Sequence, residues 1–132
     1  MDDDIRFALE ETRTWAVVGC SPDTGRDSHR IAVLLQRRGF RVIPVNPTVT
    51  GEILGETVYP RLDAIPEQVD VVDIFRRSEA AGAHVDEAIA AGAKAVWLQL
   101  DVIDNDAAER ATEAGLDVVM DACPAIEWPK HG

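Results

Sequence analysis

Short aliphatic runs that return at intervals of about 25 residues are what most restricts this chain's fold, because that interval is one strand plus a crossover helix. The runs are Trp15-Ala16-Val17-Val18, Arg41-Val42-Ile43-Pro44-Val45, Val69-Asp70-Val71-Val72-Asp73-Ile74-Phe75, Ala95-Val96-Trp97-Leu98 and Leu116-Asp117-Val118-Val119-Met120. β-Branched residues dominate them, and some are apolar at consecutive positions, as in strands covered on both faces. Between the runs, a helix is predicted from Asp27 or Ser28 to Gly39, with Ile31, Leu34 and Leu35 on one face. Ala80 to Ala91 before Gly92, and Ala107 to Ala114 before Gly115, repeat the pattern of a helix closed by glycine. Residues 5–13 read as a short leading helix that packs Ile5 and Leu9. The stretch from Pro47 to Pro66 has no helical period and reads as a loop, with short extended pieces around Ile53-Leu54 and Thr57-Val58-Tyr59. The expected fold class is α/β, a five-stranded, mainly parallel sheet flanked by helices on both faces.

A length of 132 residues fits one domain, with residues 1–13 as the leading helix and 14–127 as the core. At 46% hydrophobic but 5% aromatic residues, that core is aliphatic and wholesale disorder is excluded. Thirteen basic residues against 24 acidic ones give a net charge of -11, a field that repels phosphate backbones and anionic lipid. Neither nucleic-acid nor membrane partners are therefore expected. No apolar run approaches the roughly 20 residues of a membrane span. Two cysteines, no disulfide framework and the acidic start Met1-Asp2-Asp3-Asp4 point to a reduced, cytoplasmic protein.

In open α/β sheets, ligands bind beyond the carboxyl ends of the strands where the strand order reverses. That rule selects the first turn, Gly19-Cys20-Ser21-Pro22-Asp23-Thr24-Gly25-Arg26-Asp27-Ser28-His29, which joins a strand to a helix N-terminus suited to an anion. The turn lacks both the G-x-G-x-x-G of dinucleotide folds and the P-loop pattern. The second strand ends in Val45-Asn46-Pro47, where an NAD site would offer an acidic residue to the ribose. From Ser28 to Thr50 there is no acidic residue, while Arg30, Arg37, Arg38 and Arg41 occur and Arg26 stands just before. Arg37 and Arg38 fall where they complement a helix dipole. Arg26, with Arg76 and Arg77 after the third run, is better placed for a phosphate, and Asp23 and Asp27 oppose one unless they point away. From these residues alone, a phosphate site and a turn that only caps its helix both stay open.

Catalytic groups are not evident. His29, His84 and His131 lack zinc-ligand spacing, and no metal or catalytic residue is assigned. Cys20 lies in the proposed phosphate turn, where amide dipoles would lower its pKa, although a small buried residue accounts for it and for Cys123 more simply. Asp70, Asp73 and Asp121 stand at strand ends, where helix capping or Arg pairing is the expectation.

Several ordered motifs carry a resemblance. They are Val17-Val18-Gly19-Cys20-Ser21 with Ser28, Gly39-Phe40-Arg41-Val42-Ile43-Pro44-Val45-Asn46-Pro47, Leu54-Gly55-Glu56 with Tyr59-Pro60, Val71-Val72-Asp73-Ile74-Phe75-Arg76-Arg77, Trp97-Leu98-Gln99, and Val118-Val119-Met120-Asp121 with Cys123. From about Thr14 to Glu127 the chain resembles the small stand-alone coenzyme A-binding proteins, whose domain is similar to that of succinyl-CoA synthetase α-subunits and acyl-CoA synthetases. The resemblance implies a Rossmann-like sheet that binds coenzyme A or acyl-CoA across its strand ends. On that analogy Gly19, Cys20, Ser21, Pro22, Gly25, Arg26 and Ser28 receive the pyrophosphate, and Val45, Asn46 and Pro47 line the adenosine side. Phe75, Arg76 and Arg77 form the opposing wall, with Gln99 near the crevice. Asp101 stands near where the family often has Gly. The implied role is a non-catalytic carrier, sensor or regulatory module without activity of its own. The alternatives are a subunit of an acyl-CoA ligase that needs a partner chain, or a binder of another adenine nucleotide such as NAD. A protein partner or a homodimer is left open, as is a mixed disulfide between the CoA thiol and Cys20 or Cys123.

Overall fold

Strand β1 (Thr14–Val18) is buried at every residue because it runs inside a parallel sheet covered on both sides. In the computed structural model, which describes residues 3–131, that sheet also contains β2 (Arg41–Val45), β5 (Val71–Ile74), β6 (Ala95–Leu98) and β7 (Asp117–Val119). Their order is β2-β1-β5-β6-β7, and each neighbouring pair is parallel. The short pieces β3 (Glu52–Ile53) and β4 (Glu56–Thr57) form a separate antiparallel hairpin inside the stretch read as a loop. The aliphatic runs thus become the sheet, although the third is shorter than its run of seven.

Alternation along the strands sorts side chains between two layers. Ala16, Val18, Val72, Ile74, Val96 and Leu98 pack with Ala81, Val85 and Ala88 of α3 (Ser78–Ala90) and with Ala107 and Ala111 of α4 (Asn105–Glu113). Trp15, Val17, Val71 and Trp97 face the other way. They meet Ala8 and Leu9 of α1 (Asp3–Glu10), Ile31, Ala32 and Leu35 of α2 (Asp27–Arg37), and Trp128 of α5 (Pro124–His131). Three of the four predicted helices keep close to their expected bounds and reach Gly39, Gly92 and Gly115 at positive φ.

Two helices differ. The leading helix starts at Asp3 and stops at Glu10, because Thr12 Oγ1 turns back to donate to the Ala8 carbonyl and receives the indole N–H of Trp15. Helix α5 was not expected, since Pro129 lies inside it and proline reads as a helix breaker. In eight residues only one intrahelical bond is lost to it.

Both outer strands meet other segments. Tyr59 bridges to Val45 beside β2, donating its N–H to the Pro44 carbonyl and accepting from Asn46 N–H. On the opposite side Asp4 Oδ2 accepts the N–H of Val118 in β7. Among the described residues no helix is long and apolar enough to cross a membrane.

Candidate functional site

The chain leaves β1 for β2 on one side, and β5 then returns to the other side of β1, so the strand order reverses between β1 and β5. Gly19, directly after β1, has φ +85°, and a Cβ built there would stand 2.5 Å from the carbonyl oxygen of Phe75. Only glycine lets the β1 and β5 ends approach so closely. The following turn is folded on itself. Ser28 Oγ accepts the N–H of Ser21 at 3.0 Å, His29 Nδ1 meets the Ser21 carbonyl at 3.0 Å, and Ser21 Oγ accepts the N–H of Asp23. The carboxylates that threatened an anion site are engaged locally. Asp23 accepts from Gly25 N–H at 2.9 Å and Asp27 pairs with Arg30. Helix α2 then begins without a side-chain cap, so the N–H groups of its first turn are left to whatever binds in front of it.

A cleft of about 1230 Å³ opens at this reversal and runs along the carboxyl ends of β1, β5, β6 and β7. Of the residues selected from sequence, Gly19, Ser21, Gly25, Arg26, Ser28, Phe75, Arg76, Arg77 and Gln99 all line it. Arg26 and Arg77 sit at the residues preceding α2 and α3, so two helix N-termini border the cleft, and Arg26, Arg76 and Arg77 all belong to its lining. The turns after β6 and β7 add Leu100, Asp101, Val102, Cys123 and Ala125 to the lining, and Ile31 and Leu34 of α2 add apolar surface.

Five selected residues lie elsewhere. Cys20 is fully buried among the α1/α2 layer, and Pro22 is exposed but does not border the cleft. Val45, Asn46 and Pro47 are also outside its lining. Asn46 instead braces the turn, with Nδ2 donating to the Cys20 carbonyl at 2.9 Å and Oδ1 accepting from Thr48 N–H and Oγ1. Conversely, Asp27, Arg30, Ile31, Leu34, Leu100, Asp101, Val102, Cys123 and Ala125 border the cleft without having been selected. The strand-end rule points to the β6 and β7 turns as well, and Asp101 and Cys123 stood out in the sequence on other grounds. Ile31 and Leu34 read as ordinary core residues of a helix.

The simpler reading of Cys20 as a small buried residue holds, while the expected capping or Arg pairing of the aspartates does not. Burial, reinforced by the nearby Asp73, pushes the Cys20 thiol up to about 12 instead of down. None of the three strand-end aspartates caps a helix or pairs with Arg among the described residues. Asp70 accepts the N–H groups of Arg13 and Thr14 and faces Lys94 at 3.5 Å, which ties β1 to β5. Asp121 accepts the N–H of Asp101 at 2.7 Å, and both residues have positive φ. The φ of 67° at Asp101 is a conformation that glycine adopts without strain. Asp73, in the middle of the sheet, is fully buried. Its Oδ1 accepts from Gln99 Nε2, its Oδ2 meets no partner, and burial pushes its carboxyl up to about 8. His84 pairs with Glu87 on α3 at 2.7 Å, and no group of three His, Cys, Asp or Glu among the described residues could hold a metal ion.

Known proteins resemble this chain in sequence or in structure. The uncharacterized protein YneT of Bacillus subtilis strain 168 is 34% identical over 120 residues, covering 91% of this chain and 88% of its own. A hypothetical protein from Pyrococcus horikoshii OT3 superposes with a TM-score of 0.92 at 37% identity, over 98% of this chain and 91% of its own. Acetyl-coenzyme A synthetase 1 of Ca. Korarchaeum cryptofilum, solved with phosphate and ADP, matches at a TM-score of 0.75 and 25% identity. That match covers 91% of this chain and only 28% of the synthetase. The model of the CoA binding domain matches residues 13–129, and the chain belongs to that family.

Proposed function

We propose that the cleft binds coenzyme A or an acyl-CoA, and that the chain acts as a non-catalytic carrier, sensor or regulatory module. The observation that carries this reading is the uncapped α2 N-terminus together with Arg26, Arg76 and Arg77 in the lining of a long cleft that also presents Ile31, Leu34, Leu100, Val102 and Ala125. A diphosphate would be held through first-turn N–H groups and guanidinium forks. An extended, weakly polar arm would lie against the apolar part of the lining. The adenosine would extend toward the β2 end, past Asn46 and Pro47. Gly19 belongs to the cradle, because any side chain there would collide with Phe75.

His29 is buried and held by the Ser21 carbonyl, outside the cleft lining. An NAD site is disfavoured because Asn46, standing where the ribose-binding acid would be, has both ends of its amide engaged. A second reading, in which the chain supplies the CoA site of an acyl-CoA ligase completed by a partner, is favoured by the likeness to part of the acetyl-coenzyme A synthetase. Calorimetry of the purified chain with CoA, acetyl-CoA, NAD and ADP, at low and molar salt, tests the main reading. Binding of CoA ahead of NAD supports it. No response to CoA, or a stronger response to NAD, overturns it.

A further inference from the structure

Gln99 lines the cleft directly before Leu100 and is 5% exposed. Its Nε2 is taken by Asp73 Oδ1 from beneath the cleft floor, within the fully buried middle of β5. A side-chain amide has one donor end and one acceptor end, so engaging the nitrogen decides which end faces outward. The carbonyl Oε1 has no protein donor among the described residues, yet it is not sealed among the buried unpartnered atoms. It therefore reaches the cleft. The β6 end lies on the opposite side of the strand reversal from β2 and leads to Leu100 and Cys123. With phosphates at the reversal and the nucleoside toward β2, this is the side that receives the pantetheine arm, whose two secondary amides each carry one N–H.

We infer that Asp73 is a positioning residue that locks the Gln99 amide, and that Gln99 Oε1 selects the ligand by accepting an N–H of the pantetheine arm. The inference rests on the proposed CoA reading and names the group that is read. Asp73 touches no ligand. It acts only by holding the nitrogen of Gln99, which explains a carboxyl group placed where a sheet interior would ordinarily take Val.

The test compares CoA with 3′-phospho-ADP, the same nucleotide without the arm, by calorimetry of wild type, Gln99→Met, Asp73→Val and Asp73→Asn. Gln99→Met and Asp73→Val are expected to weaken CoA about tenfold, the effect of one lost hydrogen bond, while 3′-phospho-ADP changes less than about twofold. Asp73→Asn retains a carbonyl acceptor for Nε2 and is expected to keep CoA affinity. In a proton–nitrogen spectrum the Gln99 side-chain amide should stay protected from solvent exchange in wild type and Asp73→Asn, and lose protection in Asp73→Val. Equal losses for both ligands, or no loss for CoA, overturn the inference and leave the CoA reading standing. Failure of wild type to bind CoA overturns both.

Discussion

Replacing Asp73 by Asn should uncouple folding stability from pH over a defined interval. The wild-type carboxyl is fully buried with Oδ2 unpartnered, and it moves from 3.8 when unfolded to about 8 when folded. The folded chain thus holds this proton more tightly than the unfolded chain does. The resulting stabilisation is fully present below 3.8 and is lost as pH rises through about 8. Between those values the loss is about 1.4 kcal/mol per pH unit, so at neutral pH, roughly three units above the unfolded value, it amounts to ~4 kcal/mol. Against a total of about 5–15 kcal/mol for a typical domain, that is a large fraction. Asn at this position has nearly the same shape, can still accept from Gln99 and cannot ionise. Urea unfolding of both proteins across the interval from 3.8 to about 8 isolates the effect, because every other titrating group is common to the two. The stability difference, Asn variant minus wild type, should widen by roughly 3–4 kcal/mol from the acid to the neutral end. Parallel curves would refute the reasoning, since they would mean that Asp73 finds a partner or water in the folded state.

Other expectations are simpler. Arg26→Ala should weaken CoA binding by about 1–3 kcal/mol through loss of a charge-assisted phosphate bond, and unchanged calorimetric affinity would exclude that role. Gly19→Ala combines positive φ with a Cβ 2.5 Å from the Phe75 carbonyl. Its thermal unfolding should show a loss of at least about 2 kcal/mol together with loss of ligand binding. In thiol labelling of the native protein at mildly alkaline pH, partly exposed Cys123 should react and Cys20 should not, because burial raises the Cys20 thiol to about 12. Rapid native labelling of Cys20 would contradict its placement.

The runs of Val, Ile and Leu carried the sheet into view because a parallel strand covered on both sides is apolar at consecutive positions, and Gly39, Gly92 and Gly115 marked where helices stop. Helix α5 escaped because its evidence is tertiary. Trp128 packs on Phe40 at 5.7 Å and under Arg38 at 4.8 Å, contacts that no local pattern around Pro129 announces. At the cleft, the residues that were legible are those that sit directly after β1 and β5. Cys20 and Asn46 fall outside the cleft lining because position after a strand does not tell which way a side chain turns. One points into the core and the other spends its amide on the neighbouring turn. Asp73 was the hardest to read, since an acid within a run of Val and Ile reads as a strand-end residue until the register places it opposite Val17 and Trp97.

The segments beside the two outer strands bear on how copies of this chain can associate. Arg41 N–H points inward to Arg13, so the outward N–H positions of β2 are those of Val42, Pro44 and Asn46. Proline has none, and Asn46 has given its own to Tyr59. At the opposite border Asp4 occupies the N–H of Val118. A strand from another molecule would have to evict these partners to extend the sheet, which protects the protein against edge-to-edge aggregation. Any homodimer is accordingly expected to join through helices or loops, leaving each sheet closed within its own chain.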